Sequence, residues 1–310
     1  MKSFAIVFIS LIFCCCNSTN THQSNSGTTP GNIKTEDSII ASGAVPELVS
    51  NQFSFTEGPA ADKNGDLFFT DQPNNKIWKY GTDDKLSVFV NESNRSNGLY
   101  FDVNGNLLAC ADESNQLISF TPSGEKSVLV NDISDSLLNG PNDLWISPGG
   151  NIYFTDPLYE RSYWSEKKQH IKGEYVYLLA KGKTVPVVIA NDLVKPNGII
   201  GTPDGKQLYV ADIGDNKTYI YNIDKNGLLT NKTLFTEQGS DGMTIDNKGN
   251  IYLTGNGVTV YNKSGKKIQQ IAIPQPWTAN VCFGGAGKNL LFITASTSVY
   301  TLRMNVTAAN

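Results

Sequence analysis

The stretch TEGPAADKNGDLFFTD, residues 56–71, decides the fold, because its pattern returns along the chain. A polar triplet beginning at Glu57 is followed by about five mostly apolar residues, a turn carrying Gly65, and an apolar β-rich run at 67–70. The same pattern runs from Asn97 to 107–110, from Asn142 to 152–155, from Asn197 to 208–211 and from Asp241 to 251–254. A shorter sixth copy runs from Asn280 to 291–294. The turn glycines, Gly65, Gly105, Gly150, Gly205, Gly249 and Gly287, are separated by 40, 45, 55, 44 and 38 residues. A period near 40–50 with room for four short strands is the length of one propeller blade. No segment sustains a 3.6-residue apolar period, so helices are expected to be scarce. The expected fold is all-β: a six-bladed β-propeller with four-stranded antiparallel blades.

Working outward, residues 44–49 (AVPELV) precede the first repeat and are expected to close the ring as the outer strand of the last blade. The 55-residue spacing implies an insertion in the third blade, assigned to residues 159–170. The propeller is expected over 41–305, behind a flexible Ser-, Thr-, Asn- and Gly-rich tether over 17–40. Residues 1–16 read as a signal peptide: Lys2, an apolar run from Ala5 to Phe13, then Cys14, Cys15 and Cys16. Cys15 is taken as the lipidated residue of an exported lipoprotein, in the periplasm or at the outer membrane or cell surface. Plain secretion is the alternative. Cys110 and Cys282 sit in apolar runs and read as core thiols. A net charge of −4 without a basic block argues against nucleic acid as a partner, and 39% hydrophobic residues argue against wholesale disorder.

The spacing inside each repeat carries the site. Glu57, Asn97, Asn142, Asn197 and Asp241 each lie eight residues before their turn glycine. Equal offsets put them at the same place in five successive blades, where the innermost strand enters the central channel. Asn or Asp before Gly is commonly a plain turn residue, but Glu57 has no such preference. By contrast, Asp71, Asp112, Asp156 and Asp212, read as following the inner strands, are expected to be turn aspartates. Two carboxylates with amide oxygens, and no sulfur or imidazole, form a hard donor set. It suits one divalent cation, Ca2+ foremost, with Mg2+, Mn2+ or Zn2+ as alternatives.

The body holds one histidine, His170, in the polar insertion, and no Gly-x-Ser-x-Gly elbow. A hydrolase built on this chain would therefore rely on metal-ion catalysis, with a carboxylate taking the proton of the attacking water. Asp241 is assigned that catalytic role.

The chain resembles the regucalcin/gluconolactonase family of six-bladed propeller lactonases. The resemblance is carried by FTEGP (55–59), SNGL (96–99), GPNDL (140–144), YFTDPLY (153–159), KPNG (195–198), YVAD (209–212), SDGM (240–243) and NVCFGG (280–285). It implies lactone hydrolysis, a metal held at Glu57, Asn197 and Asp241, and Asn142 touching metal or substrate. Asn97 is a further candidate substrate contact. Gly140 stands where animal members of the family carry a substrate-binding arginine, so Tyr159, Arg161 and Trp164 of the insertion either line the substrate pocket or cover the blade edge. The expected substrate is a small lactone. An arylesterase- or organophosphatase-like propeller with the same metal site, and a non-catalytic propeller that binds protein or glycan, are the alternatives.

Overall fold

The computed structural model describes residues 38–164 and 171–309. The expected signal peptide with Cys15, most of the tether, and His170 lie outside the described residues.

Six four-stranded antiparallel sheets follow one another in chain order. Their innermost strands are Thr56–Ala61, Ser96–Phe101, Leu144–Ile146, Pro196–Gly201, Met243–Ile245 and Asn280–Gly284. They open blades I to VI. In blades I to V the strands lie in sequence order from the axis outward. Blade VI takes its outer strand from the start of the domain: Glu47–Ser50 pairs antiparallel with Ser298–Arg303, as the 44–49 segment foretold. This clasp covers the edge that an open ring of sheets would expose. The packed chain extends slightly past it at both ends: Ile39 is buried, Ile40 bridges Met304, and Asp246 bridges Ala308. Among the described residues the one helical element is a 3-10 turn at Gln72–Asn74.

Because each blade is apolar on both faces, the core lies between neighbouring blades. One cluster joins Trp145 and Tyr153 of blade III to Tyr209 and Tyr221 of blade IV and to Met243 and Ile251 of blade V. Phe69 of blade I packs on Phe292 of blade VI with ring centroids 5.4 Å apart, so the clasped blade is also held by its face. Each such side chain removed from water contributes about 1.5–3 kcal/mol. Cys110 is buried within this core, whereas Cys282 is half-buried, and neither is disulfide-bonded.

The aspartates after the second strands do more than turn the chain. Asp71 accepts from the backbone N–H of Ser54 and Phe55, Asp156 from Asn139 and Gly140, and Asp212 from Val194 and Lys195. Each carboxylate thus clamps the two amides two and three residues before a ring position, fixing where the inner strand begins. This corrects the turn reading. Blade II differs: Asn75 Oδ1 takes the N–H of Arg95 (2.7 Å), which leaves Asp112 free for other partners.

Candidate active site

Successive blades tie their ring positions together. Thr70 Oγ1 of blade I donates to the carbonyl of Asn97 (3.1 Å), and Gly98 N to that of Asn142 (2.8 Å). Thr155 Oγ1 donates to the carbonyl of Asn197 (2.8 Å), and Thr254 Oγ1 to that of Ala279 (2.8 Å). The backbone at Asn97, Asn142 and Asn197, and just before Asn280, is therefore tied to the neighbouring sheet. A sixth position completes the ring. In blade VI the left-handed turn residue is Lys288 (φ 52°), not Gly287, and Asn280 lies eight residues before it. The sixth copy is not shorter at this step; its turn merely lacks glycine at the diagnostic place.

The structure brings Glu57, Asn197 and Asp241 together. Asn197 Nδ2 donates to Asp241 Oδ1 (2.9 Å), and Trp277 Nε1 donates to Asp241 Oδ2 (2.6 Å). Glu57 is 2% exposed; burial first, then the Asp241 charge, push its carboxyl well above the usual range. Gly58 N–H, donating to Glu57 Oε2 (2.8 Å), opposes that push. Burial also raises Asp241 to about 6, against the donors Trp277 and Asn197. Asn97 and Asn142 are buried at the same level, but among the described residues no hydrogen bond joins either side chain to another ring residue.

Two residues missed in the sequence cross the channel beneath these groups. Asp143 stands where blades I, II, IV and V carry glycine, and Asn280 Nδ2 of the opposite blade reaches its Oδ2 at 3.5 Å. Burial raises Asp143 to about 7, opposed by Leu144 N–H and by Asn280. The glycines make room: a Cβ on Gly242 would lie 1.9 Å from Asn280 Cγ, and one on Gly98 would lie 2.6 Å from Asp143 Oδ1. An axial cavity of about 270 Å3 has Asp143 and Asn280 in its wall, but not Glu57, Asn197 or Asp241. The carboxylate pair is thus outside that cavity. Asp143 was legible as a break in the triplet pattern, and Asn280 as the head of the sixth copy, though not by its offset to a glycine; Trp277 left no signal.

The blade III insertion joins its second and third strands, at the same mouth as the ring. Tyr159 OH accepts from Asn197 Nδ2 (3.0 Å). Lys195 Nζ lies 4.6 Å from the centre of the Tyr159 ring and donates to the Leu158 carbonyl. Arg161 and Trp164 are anchored instead on blade II: Arg161 Nε bonds Asp112 Oδ2 (2.5 Å), and Trp164 Nε1 bonds the Asp112 carbonyl (2.8 Å). Trp164 fills the space beside Gly140, where a Cβ would lie 3.3 Å from its ring. The described part of the insertion thus meets the ring through Tyr159 and the Asp112 loop of blade II through Arg161 and Trp164.

The donor set meets a simple test. Asn197 Oδ1 is buried with no hydrogen-bond partner, because its Nδ2 serves both Asp241 and Tyr159. A buried amide oxygen left bare costs about 1–3 kcal/mol, and the Asp241 charge disfavours ionisation of the buried Glu57 carboxyl. A hard cation at this place would relieve both. Among the described residues no three His, Cys, Asp or Glu side chains gather as a metal cluster, so any ion here leans on amide oxygens beside two carboxylates.

Comparison with known proteins agrees with this fold. The family profile described as SMP-30/Gluconolactonase/LRE-like region matches residues 55–297. A gluconolactonase of Zymomonas mobilis is 30% identical over 86% of this chain and 83% of its own length. A solved gluconolactonase of Xanthomonas campestris superposes with a TM-score of 0.80 at 23% identity, over 86% of this chain and 91% of that one. The calcium-binding regucalcin of Agrobacterium tumefaciens does so with 0.73 at 20%, over 86% and 95%. With six blades closed by a clasp, a repeat that positions one polar residue per blade, and a match spanning blades I to VI, the chain belongs to the SMP-30/gluconolactonase/LRE-like family.

Proposed function

We propose that this protein is a metal-dependent lactonase that opens a small aldonolactone-like ring to the hydroxy acid. The family and the gluconolactonase relative support lactone hydrolysis. The observation that carries the metal dependence is the bare, buried Asn197 Oδ1 on a side chain bonded to Asp241, whose charge also acts on the buried Glu57 carboxyl.

Glu57, Asn197 and Asp241 would hold the ion, with Asn142 next to it. Ca2+ is the first choice, because the donors are all oxygen and the ion accepts six to eight of them. When bound, a divalent cation polarises the lactone carbonyl and stabilises the oxyanion that develops on it. Asp241 accepts the proton of the attacking water as that water's oxygen bonds to the carbonyl carbon. The ring C–O bond then breaks, and the proton passes from Asp241 to the departing alkoxide, giving one hydroxyl and one carboxylic acid, which ionises by releasing its proton to solvent. Trp277 and Asn197 each donate to one oxygen of Asp241 and so fix its orientation. Tyr159 holds the Asn197 amide with its oxygen free for the ion. Asn97 and the Tyr159–Trp164 rim would contact the substrate. We further propose that the chain is exported and tethered through Cys15.

A panel of lactones, an aryl ester and an organophosphate, assayed with Ca2+, Mg2+, Mn2+ or Zn2+ after chelation, tests the assignment. Metal-restored opening of glucono-δ-lactone is expected. Turnover that survives chelation, or preference for the aryl ester or organophosphate, contradicts it.

A further inference from the structure

Asp112 is the odd member of the four clamp aspartates. Where Asp71, Asp156 and Asp212 hold backbone amides, Asp112 Oδ2 gathers Arg161 Nε (2.5 Å), Gln72 Nε2 (2.9 Å) and Tyr163 OH (3.1 Å). Its side chain is 4% exposed while that of Arg161 is 25% exposed. One edge of the guanidinium is thus locked onto a buried carboxylate while the side chain stays part-exposed. Among the described residues the terminal nitrogens of Arg161 make no hydrogen bond. The guanidinium is 5.6 Å from the centre of the Tyr159 ring, whose hydroxyl is bonded to Asn197, so one aromatic ring joins Arg161 to the oxygen donors. Its charge acts on Asp241 as well.

We propose that Arg161, locked by Asp112, reads hydroxyl groups of the substrate and makes this a site for hydroxylated lactones rather than alkyl or aryl ones. The inference rests on the lactonase reading and adds the residue that sets its specificity. The chemistry follows from the pair. Asp112 cancels most of the Arg161 charge, so the site offers directed N–H donors without a strong net attraction for anions. Donors of that kind match the oxygens of a neutral polyol. A site built to bond a hydroxyl also discriminates strongly against analogues that lack it, because its own groups are then left unpaired. Asp112 acts through Arg161 and is a positioning residue; Tyr163 and Trp164 pack the same segment onto blade II.

The test measures kcat/KM for glucono-δ-lactone and for unsubstituted δ-valerolactone in the metal-loaded wild type, Arg161→Gln and Asp112→Asn. Melting is followed in parallel with D-gluconate or 5-hydroxypentanoate. Arg161→Gln changes a part-exposed loop residue and should keep the fold even if Asp112→Asn does not. The expected result is a fall of roughly 10- to 100-fold in the ratio of hydroxylated to unsubstituted turnover, the size of a lost charge-assisted hydrogen bond. A ratio within about twofold of wild type in Arg161→Gln, on the same free-energy scale, overturns the inference. Should the wild type open neither lactone, the lactonase reading fails and the melts decide. Stabilisation by gluconate that exceeds that by 5-hydroxypentanoate and vanishes in Arg161→Gln upholds the role of Arg161. Equal stabilisation by both acids overturns it.

Discussion

The ring and its rim are built by opposite means. Ring residues sit at the heads of inner strands, and the backbone carbonyls of Asn97, Asn142 and Asn197 are each held by a threonine or amide of the neighbouring blade. The rim over it, Tyr159 to Trp164, lies outside any strand and is held mostly by its side chains on one diverted aspartate. Repetition fixes what can be an ion site, and departure from repetition fixes what can be recognised above it. Substitutions in the ring should therefore destroy the site, whereas substitutions in the rim should retune it.

The largest effects are expected from the ring carboxylates. Glu57→Gln and Asp241→Asn should each lower lactone turnover by at least about 100-fold, the range of a lost proton acceptor or ion ligand. Full activity in both variants, measured at saturating metal, would break the distinction between ring and rim. Next comes Gly242→Ala. Its Cβ would fall 1.9 Å from Asn280 Cγ, and forcing the two apart should cost about 1–3 kcal/mol in denaturant unfolding. An unchanged unfolding midpoint would show that the glycine is not needed to pass Asn280 across the channel.

Proton uptake sharpens the same contrast. Glu57, Asp241 and Asp143 are raised by burial, the last two to about 6 and 7. A carboxyl whose folded pKa exceeds its unfolded value binds its proton more tightly in the native state, so it stabilises below the unfolded pKa and loses that contribution as pH rises through the folded one. In chelator, the melting temperature should therefore rise as pH falls from about 8 to 5. Bound Ca2+ should flatten that slope. A chelated protein most stable at pH 8 would contradict the burial of these groups together. The smallest effect is expected at the sixth turn: Lys288→Gly should relieve the left-handed backbone and shift stability by at most about 1 kcal/mol.

Most of the fold and the ring were legible because a propeller converts sequence offset into position. Counting eight residues back from a hairpin glycine found Glu57, Asn97, Asn142, Asn197 and Asp241 without any knowledge of their contacts. The same count failed at Asn280 because Lys288 adopts the left-handed turn that glycine marks elsewhere. Contacts made across the channel or between blades have no such ruler. Trp277 meets Asp241 from 36 residues away, and Asn280 meets Asp143 from 137. Nor does anything around Asp112 announce that Asn75, 37 positions earlier in the chain, has taken over its clamp. That exchange depends on where loops of two adjacent blades come to rest.

The central claim is that ring residues of separate blades share one ion, and calorimetric titration of Ca2+ into chelated wild type and Asn197→Leu tests it most directly. Wild type should bind one ion per chain. Asn197→Leu, folded by circular dichroism, should lose that binding and lactone turnover together. Binding of the same strength and stoichiometry in both proteins would contradict the account.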